Sequence, residues 1–279
     1  MKPIAFPRFQ AGLSLIELMV AITLGLMITA SLGYIMVGSR STYRTQDASA
    51  RVQDTGRFAM EFIGRNLLAA GRTDITPLFT DNRVGLPSNV VPITGTNGAN
   101  TVNTGGIPTT RDVDNLTVVY QLSTLNGKTI RDCNGVDVGK TLNGGDILKG
   151  GGTDVGDYGS VRSAISMDVV DFELECLGNG SNNAQPFAEG IEDLQLVYGV
   201  DSNGDDAVDS WSTAVPATVS QIVAVQVCIM VRSLGNGVVG APQTIRDCSG
   251  TSFTPNDTRL RRTFTSVFTL RNRVNPLPQ

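Results

Sequence analysis

The chain contains no histidine, an absence that removes the Ser/His and Cys/His nucleophile pairs together with the imidazole-bearing zinc sites. It has one tryptophan, and its four cysteines include no CxxC pair. No proline occurs between Pro7 and Pro77, so nothing there forces a helix to stop by losing a backbone donor. Basic residues number 22 against 26 acidic ones, a formal charge of −4 with no basic run to attract nucleic acid. From Leu13 to Gly38, 26 residues carry no charge except Glu17.

That apolar stretch is long enough, as a helix, to cross the ~30 Å hydrocarbon core of a bilayer. Glu17 then sits near membrane depth, where an ionisable group costs roughly 2.5 to 3.5 kcal/mol and normally has a partner or a role. The small residue Gly12 precedes the apolar run, whereas a secretory signal places its cleavage site after one, and Lys2 and Arg8 stand in front. Cleavage at Gly12 leaves the anchor attached. The run Ala11-Gly12-Leu13-Ser14-Leu15-Ile16-Glu17 resembles the class III signal of type IV pilins and pseudopilins, with leucine at position 13 where that family usually has phenylalanine.

The resemblance implies that a prepilin peptidase cuts between Gly12 and Leu13 and methylates the Leu13 amine. It also implies that Glu17 pairs with the N-terminal amine of a neighbouring subunit during assembly. Physics agrees, because opposite charges in a poor dielectric relieve each other's desolvation and a wrong register strands both. Loss of Lys2 and Arg8 leaves 20 basic residues and a formal charge of −6. Arginines flank the span on its far side too, at Arg40, Arg44 and Arg51, so orientation rests on the resemblance, with the N-terminus cytoplasmic and residues from about 39 outside.

Beyond the span the helical pattern continues to Gly71. Phe58, Ala59, Phe62, Ile63, Leu67 and Ala70 form one apolar stripe at three- and four-residue spacing. Asp47 with Arg51, Asp54 with Arg57 and Glu61 with Arg65 are surface pairs worth a few tenths of a kcal/mol each. Gly25, Gly33 and Gly38 fit equally a helix-packing surface or a bending point.

After Gly71, alternating segments at 116–122, 170–176, 194–200, 223–231 and 264–270 read as strands of an antiparallel sheet packed on the helix stripe. Residues 80–115 and 134–160 are polar and glycine-rich and read as loop insertions. Thr129-Ile130-Arg131-Asp132-Cys133-Asn134-Gly135 nearly recurs as Thr244-Ile245-Arg246-Asp247-Cys248-Ser249-Gly250. So short a match, with unequal flanks, reads as coincidence or convergence rather than as a duplicated unit. Cys133, Cys176, Cys228 and Cys248 suit two disulfides outside the cytoplasm. Of their three connectivities, the sequence-neighbour pairs carry about as much weight as the other two together.

Asp201, Asn203, Asp205 and Asp209 alternate in a loop after a strand, the oxygen pattern a calcium ion takes. The EF-hand glycine and bidentate glutamate are replaced by Asp206 and Ser212, and an Asx-rich turn accounts for the same residues. Gly135 to Thr141 falls short of a phosphate loop in its spacing and in the lack of a following helix. Glu173 and Glu175 alternate with apolar residues and face away from the core. Trp211 and Tyr198 read as core aromatics. No constellation supports an enzyme.

Three separated regions resemble the PilW-type minor pilins: Arg57-Phe58-Ala59-Met60-Glu61 to Gly71, Gly190 to Asp201 with its acidic loop, and Leu260-Arg261-Arg262-Thr263-Phe264 to Arg273. The implied fold is α+β and pilin-like, a long N-terminal helix whose first half is transmembrane, packed on an antiparallel sheet with large loop insertions. The implied divisions are a leader at 1–12, a transmembrane helix at 13–38, its extracytoplasmic continuation at 39–71 and a β-rich head at 72–279. The expected role is pilus assembly, in an initiation or tip complex with other minor pilins, the major pilin and inner-membrane assembly proteins. The expected location is the inner membrane with a periplasmic head, or the surface pilus. A minor pseudopilin of a type II secretion system and a tip adhesin binding through its loops are the alternatives.

Overall fold

The computed structural model describes residues 14–72, 91–103, 110–121, 124–125, 128–129, 131–136 and 160–272. Two compact units divide the chain, Met1–Asp47 and Ala48–Gln279. Helix α1 (Leu15–Ala69) runs for 55 residues without a break at Gly25, Gly33 or Gly38. Its first part carries exposed Leu, Ile, Val and Met side chains and is long and apolar enough to cross a membrane.

The helix ends where the sequence places Gly71, which takes a left-handed φ of +70° that a residue with a Cβ rarely adopts. There the Gly71 N–H donates to the Val119 carbonyl at 2.9 Å, and the Asn272 side chain donates to the orphan carbonyl of Leu68 at 2.8 Å. The last turn is therefore tied to the sheet and to the end of the chain. Ala59, Ile63, Leu67 and Ala70 of the apolar stripe are buried, whereas Phe58 is half exposed and Phe62 stacks on Phe187 with ring centroids 4.1 Å apart. Glu61 and Arg65 form an exposed ion pair.

The strands, in order, are β1 (Ile93–Asn103), β2 (Thr110–Gln121), β3 (Thr124–Leu125), β4 (Lys128–Thr129), β5 (Ser160–Asp168), β6 (Glu173–Gly178) and β7 (Gln185–Glu189). They continue with β8 (Ile191–Val200), β9 (Ser210–Ser212), β10 (Ile222–Arg232), β11 (Ile245–Arg246), β12 (Ser252–Phe253) and β13 (Arg261–Thr269). Two main sheets form, in the orders β1-β2-β5-β6-β7 and β13-β10-β8-β9, with antiparallel neighbours throughout. β3 with β4 and β11 with β12 make two small ribbons.

The stretch 80–115, read above as an insertion, instead supplies β1 and the start of β2. Its Gly, Asn and Thr content hides the strand, and Gly98, at φ +63°, lies where the β1–β2 register shifts. β5 escapes the alternation test because Ser163 occupies a fully buried position between Val161 and Ile165. Most of the second glycine-rich stretch, 137–159, lies outside the described residues.

Among the described residues no ladder joins β2 to β8, which lie in different sheets. The buried carboxylate of Asp114 crosses from one to the other, accepting the Leu196 N–H at 2.8 Å and the Gly98 N–H at 3.1 Å. Burial raises its pKa, against the lowering effect of those two bonds. Nearby, Tyr198 is fully buried against Gly95, where an added Cβ would lie 2.0 Å from the phenolic oxygen.

Two helix glycines, invisible to a hydrophobicity pattern, set the approach of α1 to β13. A Cβ at Gly56 would lie 2.3 Å from the Phe264 ring, and one at Gly64 would lie 2.3 Å from the Phe268 ring. Gly64→Ala therefore opposes two effects: a helix gain of about 1 kcal/mol from propensity and an overpacking loss of about 1 to 3 kcal/mol. We expect overpacking to win, so that the full chain in detergent unfolds at lower denaturant concentration. A stabilised variant would show that the ring moves aside at no cost.

Candidate functional site

Glu17 stands in the first turn of α1, and its surroundings follow from its spacing to Ser14. The Glu17 N–H donates to Ser14 Oγ at 3.2 Å, and the Ser14 N–H donates to Glu17 Oε2 at 3.4 Å. This reciprocal pattern is a capping box, which satisfies two amides that have no partner within a helix. It needs only the peptide N–H of Ser14, so cleavage after Gly12 leaves it intact. Oε1 has no hydrogen bond among the described residues, and the neighbours of Glu17 in sequence, Leu15, Ile16, Leu18 and Val20, are exposed. The carboxylate is thus turned back toward the helix start. Gly12 and Leu13 lie outside the described residues.

A second charged cluster is buried in the head. Along β8 the register against β10 shifts between Ile191 and Asp193, leaving Glu192 as the extra residue of a bulge. The bulge aims Glu192, fully buried, at the paired ends of β10 and β13. Arg261 grips it with two hydrogen bonds, Nε to Oε2 at 2.7 Å and Nη2 to Oε1 at 2.9 Å. Arg232 adds one from Nη1 to Oε1 at 3.1 Å, and its guanidinium lies over the Phe172 ring, 3.7 Å from the centroid. Phe172 has a φ of 60°, a strained value for a bulky residue, and its carbonyl accepts the Ile191 N–H. Asp257 accepts from the outer side of Arg261 at 2.7 Å.

Burial pulls the Arg261 pKa down, but its hydrogen bonds to Asp257 and Glu192 outweigh that and hold it above the ordinary arginine value. Asp257 is held below the ordinary carboxylate range, first by the Arg261 hydrogen bond. Two motifs 69 residues apart therefore meet as one ion network. The readable signal was a pair of adjacent acids, Glu192 and Asp193, inside an otherwise apolar strand.

The loop after β8 satisfies itself. Buried Asp201 accepts backbone N–H groups from Asn203 at 3.2 Å, Gly204 at 2.6 Å and Asp206 at 2.9 Å, the pattern of consecutive Asx turns. Asp205 accepts the Ala207 N–H, and Asp209 accepts both the N–H and the hydroxyl of Ser202. Among the described residues no group of three or more His, Cys, Asp or Glu side chains gathers to hold a metal ion.

Trp211, read above as core, is 47% exposed because β9 is a three-residue edge strand. Glu173 and Glu175 stay partly exposed on β6; burial, then repulsion from Glu189, Asp171, Glu175 and Asp168, raises the Glu173 pKa. The cysteines are joined as Cys133–Cys176 and Cys228–Cys248.

Residues 156–272 match the family model described as Type IV Pilus-assembly protein W, and residues 7–33 match the prokaryotic N-terminal methylation motif. No curated protein matches the chain. Among solved structures, a type IV-like pilin from Thermus thermophilus is similar at 10% identity, over 80% of this chain and 99% of its own, with a TM-score of 0.42.

Removing Arg261 takes two of the three hydrogen bonds from buried Glu192 and leaves it only the single bond from Arg232, so Arg261→Met should cost about 3 kcal/mol at pH 7 in chemical unfolding. A depressed folded pKa gives stability that is present above the unfolded value and lost as pH falls through the folded one. The Asp257 contribution should thus hold at neutral pH and vanish below the usual carboxylate range, and Arg261→Met should flatten that acid limb. An unchanged unfolding midpoint would show that the network holds nothing.

Proposed function

We propose, from the premise that this chain is a prepilin of the type IV pilus PilW type, that it serves as a minor pilin in the complex that initiates or tips the fibre. The observation that carries the reading is the coincidence of the methylation motif with Glu17, set one turn into an exposed apolar helix. In this reading a prepilin peptidase removes residues 1–12, α1 anchors the chain in the inner membrane, and the head lies outside the cytoplasm. Glu17 then accepts the methylated Leu13 amine of a neighbouring subunit.

The energetics favour assembly over isolation. A lone carboxylate at membrane depth costs roughly 2.5 to 3.5 kcal/mol, and a lone ammonium carries a comparable penalty. Pairing them between subunits offsets both, and a shift by one residue offsets neither. The partners are other minor pilins, the major pilin and inner-membrane assembly proteins. A structural role fits this better than an enzymatic one, since the buried cluster of Glu192, Arg261, Arg232 and Asp257 is engaged within itself.

Deletion of the gene in a strain that cannot retract pili should abolish or sharply reduce surface fibres. Wild type should restore them and Glu17→Ala should not, as counted by electron microscopy. Normal fibres with secreted proteins trapped in the periplasm would instead indicate a pseudopilin, and normal fibres with only adhesion lost would indicate a tip adhesin. A bulky Gly12→Leu change should leave the unprocessed precursor, visible by mass as retention of residues 1–12.

A further inference from the structure

The two near-identical heptads fold into the same closed turn. In the first, the Asp132 N–H donates to the Val136 carbonyl and the Gly135 N–H to the Asp132 carbonyl. Asp132 Oδ1 accepts the N–H groups of Asn134 and Val136, each at 3.0 Å. In the second, the Asp247 N–H donates to the Thr251 carbonyl and the Gly250 N–H to the Asp247 carbonyl. Asp247 Oδ1 accepts the N–H groups of Ser249 at 3.1 Å and Thr251 at 2.8 Å. All four hydrogen bonds recur at the same offsets, and the glycines share a left-handed φ of +73° and +84°. Each turn is therefore specified by its aspartate and glycine, and the intervening cysteine occupies the same place in both.

Each turn is also fastened to the sheet by a buried carboxylate that is separate from its disulfide. Asp132 Oδ2 accepts the Gly180 N–H at 2.9 Å, in the turn between β6 and β7. A Cβ at Gly178 would lie 2.0 Å from that oxygen, so the glycine leaves the room that Asp132 fills. In the second turn the Cys248 N–H donates to Asp193 Oδ2 at 3.1 Å, and Asp193 on β8 stands one strand from Cys228 on β10. Both anchors are at most 5% exposed, where a carboxylate–amide bond is strong and an unmade one is costly.

We propose that Asp132 and Asp193 are positioning residues for the two disulfides: each docks its cysteine turn on the sheet in the reduced chain and thereby selects the partner strand. Oxidation follows docking. Cys133 meets Cys176 on β6 and Cys248 meets Cys228 on β10, and crossed pairs do not form because each turn is already seated. In each step two thiols lose two protons and two electrons to a low-molecular-weight disulfide, which is released as two thiols. The alternative is that proximity in sequence chooses the pairs in an unfolded chain and the carboxylates merely decorate the result.

Reduced, denatured full-length protein would be refolded in detergent with oxidised and reduced glutathione, and its pairings mapped by mass spectrometry of unreduced digests. Asp193→Ala should lower the yield of Cys228–Cys248 at least threefold and leave Cys133–Cys176 unchanged, and Asp132→Ala should do the reverse. Native yields of both bonds in both variants would overturn the proposal. Should an aspartate variant fail to fold, Cys228→Ser with Cys248→Ser keeps the anchor and decides the matter. The amides of residues 248, 249 and 251 should then stay protected from hydrogen exchange to within tenfold of wild type, and exchange at unstructured rates would overturn the proposal.

Discussion

The head depends on how closely α1 approaches β13. Phe264 and Phe268 lie four residues, about 13 Å, apart on the strand, close to the rise of about 12 Å between the helix glycines at 56 and 64, which let their rings reach the helix backbone. A Cβ at either glycine would overlap a ring, so that ring or the strand must shift. β13 is in turn an edge strand, paired among the described residues with β10 alone, and its first residue is Arg261. The grip of Arg261 on Glu192 fixes the end of the strand that the rings do not reach. Helix contact, edge strand and buried ion pair thus form one chain of dependence.

Polar groups do most of the joining where ladders stop. Asp114 spans the seam between the main sheets, Asp193 and Asp132 hold the cysteine turns, and Asp201 closes its own loop. Each is buried, and each accepts backbone N–H groups. This explains how a chain with long Gly, Asn and Thr segments keeps a defined head: short acidic side chains act as local acceptors at points where the backbone would otherwise be unsatisfied.

The helix was largely legible because its signals are strong. An apolar run, a missing proline and the stripe through Ala59, Ile63 and Leu67 all reappear in α1, and five of the strands show in their alternation. What was hidden has physical reasons. Gly56 and Gly64 carry no hydrophobic signal, β1 is built from small polar residues, and buried Ser163 interrupts the pattern of β5. Glu192 looks like an outward-facing strand charge until the bulge turns it inward. The duplicated heptad was visible, but only coordinates show that both copies make the same hydrogen bonds. At the functional end, Ser14 and Glu17 sit at capping-box spacing, a local relation readable from sequence.

The central claim is that this chain enters the fibre through Glu17. Surface fibres sheared from cells and probed with antibody against the head test it directly, using Glu17→Gln to keep shape while removing charge. The account predicts that the wild-type chain is found in sheared fibres, and that the variant, with its leader removed, stays in the membrane fraction. Equal amounts of variant and wild type in the fibres would contradict it.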